Sequence, residues 1–138
     1  MFIDASAIVA IINNEPGSDE IVRRIEDHPK KRFVSPMVRF EATTAIARSR
    51  SGARLPTPEQ LNAAEAIVDN FCEKIEASDI SISAAVGRKA LDAARRYGKI
   101  TGHEADLNFG DCFAYACASA YRARLVYKGS DFSKTDLA

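Results

Sequence analysis

The sequence predicts an α/β fold, a short parallel sheet of about four or five strands sandwiched by helices. Three observations carry that prediction. Short apolar runs at Phe2–Ile3, Phe33–Val34 and Leu125–Tyr127 have the length and composition of strands. The segments between them carry helical periodicity and helix-start signals. No hairpin signal joins one run to the next, so the strands are connected by helices and lie parallel.

Taken in order, Phe2–Ile3 is the first strand, and Asp4 stands where it passes into a helix of small and aliphatic side chains ending near Ile12. Glu15-Pro16-Gly17 breaks that helix, and Ser18 is the expected N-cap of the next, which runs to about Asp27 with Ile21, Val22 and Ile25 as its apolar stripe. His28-Pro29 stops it. Strand Phe33–Val34 leads into Ser35-Pro36, an N-cap serine followed by proline at the first helical position, and this helix extends to about Ser51. Thr57-Pro58-Glu59-Gln60 reads as a capping box opening a helix to Cys72 or Glu73. A weak strand is expected near Lys74–Ala77. Ser81 or Ser83 starts a helix through Ala94, ended by Tyr97-Gly98, and His103 to Leu107 is a loop. Asn108-Phe109-Gly110-Asp111 begins the most apolar helix, to about Tyr121. Strand Leu125–Tyr127 and a polar tail follow.

Composition fits one ordinary globular domain spanning 1–138. The chain is 46% hydrophobic and 28% charged, and at this length it buries roughly two thirds of the unfolded surface. Nineteen basic and nineteen acidic residues cancel, so net charge does not announce a nucleic-acid partner, though arginines can still gather locally. The apolar start lacks the basic leader of a signal peptide, and no run reaches the roughly 18 apolar residues of a membrane span. Cys72, Cys112 and Cys117 are odd in number and show no CxxC pairing, which suits buried free thiols in a reducing cytoplasm.

The chemistry lies in the carboxylates. In open parallel sheets ligands sit beyond the carboxyl ends of the strands. Asp4 follows the first strand and Asp131 the last; Asp111 lies in the first turn of its helix, and Glu41 in the second turn of the helix opened by Pro36. Each has a plainer use: Asp4 as a helix N-cap, Asp111 as the partner of Asn108 in a cap, Asp131 as a turn residue. Glu41 is less easily dismissed, because it lies beside the Val38, Ala42 and Ala45 stripe. Four like charges on one rim repel and raise each other's pKa. A hard divalent ion such as Mg²⁺ or Mn²⁺ relieves that repulsion and, with its water, suits phosphodiester hydrolysis. Ser6 is placed to orient a ligand or water.

The segments Phe-Ile-Asp-Ala-Ser at the start, Pro36 with Glu41 five residues on, Asn-Phe-Gly-Asp-Cys-Phe-Ala-Tyr-Ala at 108–116 and Lys-Gly-Ser-Asp-Phe at 128–132 resemble the PIN-domain ribonucleases, most nearly the VapC toxins of bacterial toxin–antitoxin pairs. The resemblance covers essentially the whole chain, and the block around Asp111 is its most specific part. It implies a PIN-like fold and an RNA endonuclease whose Mg²⁺ site is Asp4, Glu41, Asp111 and Asp131, with Asp136 as the competitor for the fourth place. It further implies a homodimer and a cognate VapB-like antitoxin covering the acidic groove. RNA contact then falls to local residues such as Arg39, Arg48, Arg50 and Arg54.

Other residues carry less. His28 and His103 are not needed as bases beside metal-bound water, and Tyr115 is expected to pack on or bond to Asp111. Leu61, Ala64, Ile67, Val68 and Phe71 form a core stripe, part of which can serve a dimer or antitoxin surface. Two rival readings fit the residues less well. A receiver-like phosphoacceptor domain requires paired acids after the first strand, where this chain has only Asp4. A catalytically inactive PIN-fold binding module is disfavoured by the presence of all four acids.

Overall fold

A computed structural model describes residues 1–137. Its elements are β1 (Phe2–Ile3), α1 (Ala5–Ile12), α2 (Ser18–Glu26), β2 (Arg32–Val34), α3 (Pro36–Ser51), α4 (Pro58–Lys74), β3 (Ala77–Asp79), α5 (Ala84–Tyr97), α6 (Phe109–Ala120) and β4 (Leu125–Val126). Short 3₁₀ turns occupy Lys99–Thr101 and Asp131–Lys134. The four strands are all parallel in the order β3-β2-β1-β4. The α/β architecture is the one the sequence predicts, with six helices flanking the sheet.

The strand order fixes where a ligand can sit. The chain winds outward from β1 through β2 to β3, then returns to place β4 on the other side of β1. The winding therefore reverses between β1 and β4, the point beyond whose carboxyl ends an open parallel sheet takes its ligands. Asp4 directly follows β1, and its N–H donates to Val126 O at 2.9 Å, tying β1 to β4 at that end.

The strands are short but fully buried at the centre. Phe2, Ile3, Val34 and Val126 join Ile8, Val38, Ile46, Val68 and Leu107 in one core. Phe132, also buried, anchors the last turn to it. Cys72, Cys112 and Cys117 are free and buried, as expected. Among the described residues no helix is long and apolar enough to cross a membrane.

Two local expectations are corrected. The weak strand lies at Ala77–Asp79 rather than Lys74–Ala77, because α4 keeps its hydrogen bonding to Lys74 and Glu76 turns the chain through a left-handed conformation, φ 51°. Ser18 is not a cap but the first, buried residue of α2; Gly17, at φ 85°, takes the cap position because that turn needs a residue without a Cβ. The capping box at Thr57 and Gln60 forms as written in the sequence. Ser83, not Ser81, caps α5.

Candidate functional site

Asp4 is built into the backbone that surrounds it. Its extended conformation makes it the N-cap of α1, and its Oδ2 accepts from the N–H and the hydroxyl of Ser6, at 2.9 and 2.5 Å. The Ser6 hydroxyl oxygen in turn accepts from the Lys128 N–H at 3.0 Å, so the segment after β4 is tied to the same carboxylate. Asp4 is only 5% exposed. Burial raises its pKa, the Ser6 hydrogen bonds oppose the rise, and the charge of Asp131 adds to it.

Asp111 is the third residue of α6 and completes a capping box with Asn108. The Asn108 side chain accepts from the Asp111 N–H at 3.0 Å, and Asp111 Oδ2 accepts from the Asn108 N–H at 2.8 Å. Burial is the main cause that lifts Asp111 to about 6; the Asn108 hydrogen bond lowers it, while Asp4 and Asp131 push it up.

Glu41 completes the group from α3. Its carboxylate has no hydrogen bond or ion pair among the described residues, and burial, then Asp4, then Asp111 raise it to about 7. Gly110 makes this placement possible: a Cβ there would overlap the Glu41 carboxylate.

Asp131 opens the turn after Gly129, which takes φ 100°, and is exposed. Its charge acts on both Asp4 and Asp111. Asp136 is drawn elsewhere. It accepts from the Tyr115 hydroxyl at 2.6 Å and from Arg96 at 3.0 Å, and these partners lower its pKa. Tyr115 therefore bonds to Asp136 and not, as expected, to Asp111.

The predicted acids thus share one rim, from four separate segments. No three of them close into a ready metal cage among the described residues. Asp4 and Asp111 each turn one oxygen to a cap. The donor set still suits a hard cation: oxygen-only, and without a Lys, Arg or His ion pair to any of the four among the described residues. The arginines fare differently. Arg39 is engaged by Asp79, at 2.8 and 2.9 Å, and by Asp69 at 2.8 Å, fastening α3 to β3 and α4. Arg48 is exposed in the last turns of α3.

Comparison with known proteins gives this arrangement a family. A PIN domain profile matches residues 1–137. A VapC ribonuclease of Rhizobium meliloti (strain 1021) is 47% identical over 139 residues, covering 99% of this chain and 98% of the relative. Ribonuclease VapC42 of Mycobacterium tuberculosis is 34% identical over 137 residues, covering 99% of this chain and 96% of its own length. Ribonuclease VapC of Mycolicibacterium smegmatis is 33% identical, covering 100% and 98%. With matches of that extent to both the domain and its ribonuclease members, this chain belongs to the PIN-domain family, among the VapC ribonucleases.

Proposed function

We propose that this chain is a metal-dependent endoribonuclease and the toxin of a toxin–antitoxin pair. The observation that carries the reading is the convergence of Asp4, Glu41 and Asp111, three acids from separate elements with no ion pair among the described residues, each raised first by burial and then by a neighbouring carboxylate. The names of the relatives support the ribonuclease class. A bound Mg²⁺ or Mn²⁺ supplies an activated water and stabilises charge developing on a phosphodiester.

Asp4, Asp111, Asp131 and Glu41 are the residues that hold such an ion. Asp4 and Asp111 are held in place by their caps, so a substrate meets carboxylates that are already oriented. Ser6 fixes the Asp4 rotamer and joins it to the β4 segment. Without metal Glu41 is lifted to about 7, so a cation bound there near neutral pH would displace a proton from it. The same reading expects a cytoplasmic homodimer and a VapB-like antitoxin seated over the acidic rim.

The test is cleavage of single- and double-stranded RNA with and without Mg²⁺, for the unmodified chain, Asp4→Asn and Asp111→Asn, with circular dichroism to confirm folding. The expected result is Mg²⁺-dependent cleavage that falls by at least about a hundredfold in either variant, together with a metal-induced rise in melting temperature that the variants lack. Full activity in EDTA, or in folded variants, overturns the site.

A further inference from the structure

The opposite edge of the sheet carries a different surface. A hollow of about 640 Å³ opens at the amino-terminal end of β1, and Lys30, Lys31, Arg122 and Arg124 line it together with Phe33 and Tyr121. All four cations are exposed, and none makes an ion pair among the described residues. Five other cations are paired among the described residues: Arg23 with Glu20, Arg39 with Asp69 and Asp79, Arg96 with Asp92 and Asp136, Lys99 with Asp106, and Lys134 with Glu104. His28, at the wall of the hollow, has its pKa lowered by burial and then by surrounding positive charges, Arg32, Arg124 and Lys30 among them. A second hollow of about 660 Å³ shares Arg122 and Arg124 and adds Arg24, so the basic surface continues past the first. Zero net charge thus coexists with local clusters, acids beyond the carboxyl ends of the strands and four unpaired cations around this hollow at the other.

The floor of the hollow is aromatic. The Phe33 and Tyr121 rings lie 5.5 Å apart at 47°, and Tyr121 is 44% exposed. Unpaired cations around an exposed ring make up the two components of single-strand nucleic-acid binding, phosphate neutralisation and base stacking. An acidic protein segment would use the charges but leave the ring without a partner.

We infer that the amino-terminal edge of the sheet is a second RNA-binding surface, which takes the phosphates of a single-stranded segment on Lys30, Lys31, Arg122 and Arg124 and a base on Tyr121. RNA as the occupant rests on the ribonuclease reading, while the surface itself lies apart from the acidic rim. It supplies electrostatic attraction for phosphates that four carboxylates without ion pairs among the described residues do not.

Fluorescence anisotropy with a short labelled single-stranded oligoribonucleotide, in EDTA, tests the surface without cleavage. The variants are Arg122→Gln with Arg124→Gln, Tyr121→Ala, Tyr121→Phe, and Arg88→Gln with Arg95→Gln on α5 as a control of equal charge change. The unmodified chain is expected to bind. The Arg122/Arg124 variant should weaken binding at least about tenfold, and its plot of log affinity against log salt should flatten by about 0.7 per cation removed. Tyr121→Ala should weaken binding roughly tenfold with the salt slope unchanged, and Tyr121→Phe should bind as the unmodified chain does. Binding that is undiminished in the Arg122/Arg124 variant overturns the inference, as does an equal loss in the α5 control, or displacement by polyglutamate as effective as displacement by RNA. Failure of the nuclease reading shows separately, as no RNA cleavage by the unmodified chain with Mg²⁺, and does not alter the EDTA binding result.

Discussion

Glu41 and Asp136 are both carboxylates on the sheet's periphery, yet their surroundings push them in opposite directions. Glu41 faces Asp4 and Asp111 with no donor on its oxygens, and it is lifted to about 7. Asp136 receives the Tyr115 hydroxyl and the Arg96 guanidinium, and it is held below the ordinary aspartate value. The difference separates a carboxylate that closes a structural contact from one left open for a ligand. Asp136 is a latch that fastens the tail to α5 and α6. Glu41 is destabilised where it stands, which a protein tolerates where the group has work to do.

The largest expected effect comes from disturbing Glu41 without touching its charge. Gly110→Ala places a methyl group against the Glu41 carboxylate. The far end of that side chain can swing aside, and alanine is favoured over glycine inside a helix by about 1 kcal/mol. The variant is therefore expected to melt at the same temperature or higher while cleavage falls roughly a hundredfold. A variant that is fully active would show that the exact position of Glu41 is unimportant.

The pH dependence of the metal-free protein sharpens the contrast. The folded chain holds protons more tightly at Glu41 and Asp111 than the unfolded chain does. Their contribution to stability is therefore complete below their ordinary values of 4.5 and 3.8, and it is lost as pH rises through about 6 and about 7. Asp136 has the reverse sign: its contribution is present above 3.8 and lost as pH falls through its lowered value. Thermal melts in EDTA across this range should show Glu41→Gln flattening the neutral limb and Asp136→Asn flattening the acid limb. Indistinguishable curves for the two variants would erase the contrast.

The smallest effect belongs to the latch. Tyr115→Phe removes one hydrogen bond to a charged acceptor, about 1.5–3 kcal/mol at full strength and less at this partly exposed site. A fall of a few degrees in melting temperature is expected, with cleavage retained if the turn bearing Asp131 stays anchored by Phe132.

How much of this was legible in the sequence varies with the distance between partners. Asp4 and Asp111 could be read directly, because each is placed by its own strand end or helix start, and their caps lie within three residues. The choice between Asp131 and Asp136 could not. It depends on Phe132 entering the core and on partners 21 and 40 residues from Asp136. Arg39 was read as a contact for RNA because helix periodicity gives a face but not what stands opposite, and Asp69 and Asp79 stand there. The basic edge was invisible for a related reason. Lys30, Lys31, Arg122 and Arg124 are separated by most of the chain, and only the parallel pairing of β1 with both β2 and β4 brings their segments together. The start of β3 was missed by a few residues, since the left-handed turn at Glu76 has no glycine to mark it.

The brevity of the sheet has a consequence for how the protein behaves when crowded. Its two outer strands, β3 and β4, are three and two residues long. So small a run of unpaired amide groups gives a foreign strand almost nothing to align with, and charged residues stand beside both, Asp79 on one and Arg124 and Lys128 on the other. The molecule is thereby guarded against fibrillar growth from either flank of its sheet.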